Sequence, residues 1–150
     1  MYDIIIIGGG AAGMTAALYS LRGGKTVLLL EKESIGGQIS QSPRVENFPS
    51  IKEIAGSEFS EKLFDQILDL GAQFELEKVV NVEKNNNIFT VTTDYNTYEA
   101  KAVILATGVK HRHIGVDNED ELVGKGLSYC AVCDGAFYAG EDVALVGDAN

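Results

Sequence analysis

Cys130 and Cys133 are the only cysteines in the 150 residues, and the two positions between them let their sulfurs close a small ring. Asp134 follows at once and sets a carboxyl group beside the pair. Paired thiols at this spacing suit reversible disulfide chemistry, in which the thiolate is the nucleophile. The same spacing also suits half of a zinc site, so it leaves both chemistries open. His111 and His113 could complete four ligands by count. However, His-x-His on an extended segment ahead of a distant cysteine pair matches no usual finger spacing, and no metal is expected.

A second constellation lies at the other end. Residues 4–7 are four isoleucines, the style of a strand buried on both faces. They run into Gly8-Gly9-Gly10-Ala11-Ala12-Gly13, which spells G-x-G-x-x-G, and good helix formers continue to Leu21 before Gly23-Gly24. A strand over 26–30 then ends in Glu31, which lies 23 positions after Gly8. Gly8 allows the tight turn, Gly10 lets backbone amides approach a pyrophosphate, and Gly13 lets helix and strand pack closely. Glu31 can accept hydrogen bonds from both ribose hydroxyls, and its charge repels a 2′-phosphate. FAD or NAD therefore fits, and NADP does not.

Composition sets the outer limits. With 45% hydrophobic residues the chain can build a core. Twelve basic against twenty-two acidic residues give a net charge of -10, which opposes nucleic acid and anionic membranes as partners. Residues 4–21 carry no charge, but Gly8, Gly9, Gly10 and Gly13 lie among them and no basic region precedes them, so neither a membrane span nor a signal peptide is read there. A lone close cysteine pair fits a reducing compartment, so the cytoplasm is the expected location.

Between the two ends, residues 32–55 read as a long loop, with Ile35, Ile39, Val45, Phe48 and Ile51 favouring an ordered, ligand-covering role. Ser57 reads as the N-cap of a helix through Leu70 whose face carries Phe59, Leu63, Phe64, Ile67 and Leu68. Strands over 74–76, 79–83, 88–93 and 97–101 suggest an antiparallel meander, and 102–106 a separate buried parallel strand ending at Thr107-Gly108. The acidic run 117–121 reads as a solvated face. Residues 143–146 read as another apolar strand before Gly147-Asp148-Ala149-Asn150, which suggests the front part of a longer protein.

Taken together, Gly8-x-Gly10-x-x-Gly13, Glu31, Gly36-Gly37-Gln38, Val45-Glu46-Asn47-Phe48-Pro49, Ala106-Thr107-Gly108 and Cys130-Ala131-Val132-Cys133-Asp134-Gly135 resemble the low-molecular-weight, bacterial-type thioredoxin reductases. The resemblance implies an α/β fold: a Rossmann-like FAD-binding domain, with a parallel sheet, helices and an antiparallel meander, followed by the beginning of a second nucleotide-binding domain. Residues 1–110 would be the first FAD segment, 111–123 the crossover and hinge, and 124–150 the start of an inserted pyridine-nucleotide domain. It implies electron flow from NADPH through FAD and the cysteine pair to thioredoxin, in a homodimer when full length; ferredoxin-driven or other-partner relatives are the alternative. The chain alone is expected to be inactive and to bind flavin weakly. FAD would lie along Gly8, Gly10, Ala12, Gly13, Glu31, Lys32, Gly37, Gln38, Asn47, Val79, Ala106, Thr107 and Gly108. Cys133 would face the flavin as the charge-transfer thiolate, Cys130 would attack the thioredoxin disulfide, and Asp134 would act as general acid, with a helix cap as its other reading. Ala149 departs from the family by standing where a second fingerprint glycine is usual, and a methyl group there could crowd the NADPH pyrophosphate.

Overall fold

Four consecutive isoleucines form a strand because the structure offers them two buried faces. The computed structural model describes residues 1–110 and 112–147, except for the side chain of Cys133. Its elements in chain order are β1 (Tyr2–Ile7), α1 (Ala11–Arg22), β2 (Val27–Glu31), a 3₁₀ turn (Gly37–Gln41), α2 (Gly56–Asp69), β3 (Gln73–Leu76), β4 (Val79–Asn85), β5 (Ile88–Thr93) and β6 (Thr97–Leu105). The strands make one sheet in the order β3-β2-β1-β6-β5-β4. Ile5 and Ile7 enter one core cluster with Leu28, Leu30, Val91 and Ala100. Ile6 enters the other, with Met14, Ala17, Leu29 and Ile67, beneath α1 and α2. Each fully buried aliphatic side chain of this kind contributes about 1.5–3 kcal/mol.

The pairing corrects two expectations. β3 is not part of the meander: it runs parallel to β2, with Leu28 opposite Gln73 and Glu31 opposite Leu76. The α2 crossover returns the chain in the parallel sense, and Phe74 meets Phe64 edge-on at 5.1 Å between ring centres. The stretches 97–101 and 102–106 are not two strands either. β6 is continuous, antiparallel to β5 and parallel to β1.

α2 starts earlier than its sequence suggests. Ala55 is the N-cap and Ser57 lies inside the helix. The amide of Gly56 is satisfied by the carbonyl of Ser42 at 3.0 Å, so no side-chain cap is needed. Phe59, Leu63, Phe64 and Ile67 do face inward, whereas Leu68 is 41% exposed. The loop 32–55 is ordered: Val45 and Ile54 are buried and exchange both backbone hydrogen bonds. Residues 143–146 form no strand, and Leu145 is 93% exposed, because no strand among the described residues lies beside them to complete a ladder. No helix among the described residues is long and apolar enough to cross a membrane.

The meander is fastened by one buried carboxylate. Glu77 accepts hydrogen bonds from Thr93 Oγ1 at 2.6 Å, Asn96 Nδ2 at 2.6 Å and Tyr98 Oη at 3.1 Å. Burial pushes this carboxyl up, but the three donors outweigh it and leave it below its ordinary 4.5. A depressed carboxyl adds stability that is present above the unfolded value and lost as pH falls through the folded one. In the intact protein, Glu77→Gln is therefore expected to flatten the loss of stability on acidification below about pH 4.5. Denaturant midpoints taken between pH 7 and pH 3 test this; parallel curves for the two proteins would refute it.

Candidate functional site

β1, β2 and β6 run parallel, so Gly8, Glu31 and Ala106 reach the same sheet edge at their carboxyl ends. The chain reverses there within a very small space. Gly8 has φ 112°, and a Cβ on it would stand 2.2 Å from the Ala106 carbonyl oxygen. A Cβ on Gly13 would stand 1.9 Å from the Gly8 carbonyl oxygen. The turn is tied to its neighbours: Gly8 N–H donates to the Leu30 carbonyl and Ala106 N–H to the Ile7 carbonyl, each at 2.8 Å. Gly9, which the motif treats as a free position, uses both of its backbone groups. Its N–H donates to Glu31 Oε2 at 2.7 Å, and its carbonyl accepts from Gly36 N–H at 2.8 Å.

Above this packed floor the site is open. A Cβ on Gly10 would meet nothing nearer than 3.8 Å, and one on Gly108 nothing within 4 Å. α1 has no side-chain cap and no acidic residue in its first turn, so its leading amides and positive dipole end face that space. Ala12 and Thr107 are exposed at its mouth, and Gly37 lies near Gly10: a Cβ on Gly37 would stand 3.5 Å from the Gly10 Cα. Glu31 also accepts from Lys32 N–H at 2.8 Å and Glu33 N–H at 2.9 Å. Two carboxylate oxygens offer about four lone pairs, so a ribose hydroxyl can still be held. The donor set and the room both fit the diphosphate and ribose of a dinucleotide.

Of the other residues picked from sequence, Val79 lies three positions beyond Leu76, the register partner of Glu31, and packs against the Ile7 and Leu30 cluster. Gln38 Nε2 donates to the Val109 carbonyl at 2.6 Å, which ties the loop to the segment just after β6. Lys32 is exposed and paired with Glu33 at 3.1 Å. Asn47 is exposed on the 45–54 excursion, and no described contact brings it to the glycine turn.

At the far end, α3 (Glu119–Leu122) precedes α4 (Ala131–Asp134) and a 3₁₀ turn (Gly135–Tyr138). Cys130 is disulfide-bonded, so its sulfur is not available as a thiolate ligand. Cys133 contributes its backbone to α4, and its side chain lies outside what is described. Asp134 N–H donates to the Cys130 carbonyl at 3.0 Å. Ser128, which drew no attention in the sequence, organises this turn: its Oγ accepts from Cys130 N–H at 3.0 Å and donates to Asp134 Oδ2 at 2.6 Å. A hydroxyl three residues before a helical turn, accepting from the amide two residues on, is a recognisable local motif, and that signal could have found it. Arg44 lies 4.8 Å from the centre of the Phe137 ring while pairing with Glu46 at 2.9 Å, so the loop beside the glycine turn touches the turn beyond the cysteines.

The acidic run 117–121 is not a uniformly solvated face. Glu119 is only 6% exposed. It accepts from Ile114 N–H and Gly115 N–H, both at 2.8 Å, and from the Tyr129 hydroxyl. His113 Nδ1 stands 3.7 Å from the same Glu119 oxygen that Tyr129 reaches, and its Nε2 stands 3.9 Å from Asp120. Burial raises the Glu119 carboxyl, but the Tyr129 hydroxyl and the two amides outweigh it and hold it at about 2. The same bond, with burial, pushes Tyr129 up to about 12. His111, Asp148 and Ala149 lie outside the described residues.

Comparison with known proteins places these features in a lineage. Residues 2–148 match the model for pyridine nucleotide-disulphide oxidoreductases. A thioredoxin reductase of Listeria monocytogenes is 43% identical over 147 residues, covering 98% of this chain and 46% of that protein. A thioredoxin reductase of Bacillus subtilis is 42% identical over the same span. Among solved structures, a thioredoxin reductase from Streptococcus pyogenes superposes with a TM-score of 0.88 at 41% identity, covering 92% of this chain and 45% of that one. One from Lactococcus lactis, in its FR conformation, gives 0.75 at 39% identity, covering 92% of this chain and 46% of that one. The chain spans about half the length of the curated relatives it matches.

Proposed function

Since the chain belongs to the pyridine nucleotide-disulphide oxidoreductase family, we propose that the protein it represents is an FAD-dependent thioredoxin-disulfide reductase drawing electrons from NADPH. The observation that carries this is the disulfide at Cys130, set at the start of a helical turn with Asp134 fastened to it through Ser128. Residues 1–110 serve as the first FAD segment, 111–123 as the crossover, and 124–150 as the start of the pyridine-nucleotide domain. The whole protein works as a homodimer in the cytoplasm, with thioredoxin as its partner.

Bound FAD supplies two-electron transfer from NADPH to the disulfide. This chain's residues do the rest. The open amides of α1 with Gly10, Ala12 and Gly13 hold the pyrophosphate, and Glu31 with Lys32 holds the adenosine ribose. Gly37, Gln38, Asn47, Val79, Ala106, Thr107 and Gly108 line the remainder. After reduction, the Cys130 thiolate attacks the thioredoxin disulfide and one thioredoxin sulfur leaves as thiolate, taking its proton from Asp134. Cys133 then attacks Cys130, restoring the internal disulfide and releasing reduced thioredoxin.

The full-length protein, given NADPH and oxidised thioredoxin, is expected to turn over many equivalents of thioredoxin, followed as NADPH loss at 340 nm. Failure with NADPH and with reduced ferredoxin alike would end this reading; success with ferredoxin alone would move the protein to the ferredoxin-driven relatives.

A further inference from the structure

The segment between the crossover and the cysteines closes on itself. Asn118 starts α3 in the left-handed region at φ 57°, Val123 bridges to Leu127, and Leu127 N–H donates to the Leu122 carbonyl at 3.1 Å. The Glu119 carboxylate lies inside this closed loop and grips both of its ends. It takes the incoming chain by the amides of Ile114 and Gly115, and the outgoing chain by the hydroxyl of Tyr129. Tyr129 is the residue immediately before Cys130, whose own amide is held by Ser128. The peptide bearing Cys130 is thus anchored at both preceding residues, one of them to the crossover itself.

We propose that Glu119 is a positioning residue for the redox disulfide, acting through Tyr129 to make the crossover and the Cys130 turn move as one body. The proposal rests on the function argued above. A turn that trailed the crossover would present its disulfide misaligned both to the flavin and to thioredoxin. A carboxylate held by several donors is a stiff way to prevent that, since each bond lost is a hydrogen bond to a charged group. The other acidic residues of the run are exposed and, among the described residues, make no comparable set of bonds.

The test uses the full-length holoenzyme with Tyr129→Phe, Glu119→Gln and the double variant. Two rates are compared: NADPH-driven reduction of thioredoxin, and NADPH-driven reduction of ferricyanide, which takes electrons from the flavin without the disulfide. A third, flavin-independent readout is the rate at which iodoacetamide alkylates Cys130 after dithiothreitol reduction, followed by mass spectrometry. Loss of the clamp is expected to slow thioredoxin reduction roughly tenfold, to leave ferricyanide reduction within about twofold, and to change the Cys130 alkylation rate roughly threefold. The double variant should be no worse than the poorer single one. Unchanged thioredoxin reduction, an equal fall in both activities, or losses that multiply in the double variant would overturn the proposal. If Glu119→Gln does not fold, Tyr129→Phe decides, because it removes only a hydroxyl. If the wild-type protein reduces no thioredoxin, the function reading has failed, and the alkylation rates alone decide whether the clamp exists.

Discussion

Cys133→Ser in the full-length protein is expected to lower NADPH-driven thioredoxin reduction at least about 1,000-fold, with a mixed disulfide between Cys130 and thioredoxin accumulating in its place. The reasoning follows the order of bond exchange. Cys130 heads the turn, with its amide on Ser128 and its carbonyl receiving Asp134 N–H, and in the function proposed above its sulfur is the one that attacks thioredoxin. Without a second thiolate, the bond it forms to thioredoxin has nothing inside the protein to displace it. Cys130→Ser should lose activity to the same extent and trap nothing. Bleaching of the flavin by NADPH should survive both changes, because hydride transfer precedes the disulfide. Intact-mass measurement of each variant mixed with NADPH and thioredoxin separates the two roles. Trapping by Cys130→Ser and not by Cys133→Ser would reverse the assignment, and undiminished turnover by either would remove the pair from the mechanism.

The second large effect separates two glycines of one motif. Gly13→Ala would place a methyl carbon 1.9 Å from the Gly8 carbonyl oxygen, where backbone faces backbone and neither can turn aside. Overpacking of this kind costs about 3 kcal/mol, and the helix and the turn must separate to relieve it. Both the melting temperature of the flavin-free protein and its capacity for FAD should fall. Gly10→Ala meets nothing nearer than 3.8 Å, so the protein should keep its stability within about 0.5 kcal/mol. Its methyl would instead occupy the space faced by the α1 amides, and FAD affinity should fall roughly tenfold or more. Calorimetry of the flavin-free forms and titration by flavin fluorescence check both halves. Equal destabilisation by the two changes, or full FAD affinity in Gly10→Ala, would show that this space is not where the diphosphate lies.

What could be read from sequence was what is decided locally. A β-branched run, a glycine turn and an uninterrupted helical stretch specify β1, the turn and α1 from neighbouring residues alone, and Glu31 falls at the end of β2 by chain length. Features decided at a distance were not legible. Whether β3 joins the meander or the parallel sheet depends on the sense in which α2 returns the chain. The 97–105 stretch changes character midway because its neighbours change from β5 to β1, which looks in sequence like a break. Ser57 is the better cap by type, but the Ser42 carbonyl already serves the Gly56 amide. Glu119 looks like its acidic neighbours until Tyr129, ten residues on, folds back over it. The apolar stretch 143–146 has the composition of a strand, but composition does not supply a neighbour to pair with.

The unbroken course of β6 gives the sheet a mechanical property. One end of the strand is gripped by the hairpin through β5, and the other delivers Ala106 to within touching distance of Gly8. A rigid rod therefore connects the β5–β6 hairpin, at residues 94–96, to the floor of the glycine turn with no slack loop between them. Strain applied at that hairpin arrives as displacement beneath the glycine turn.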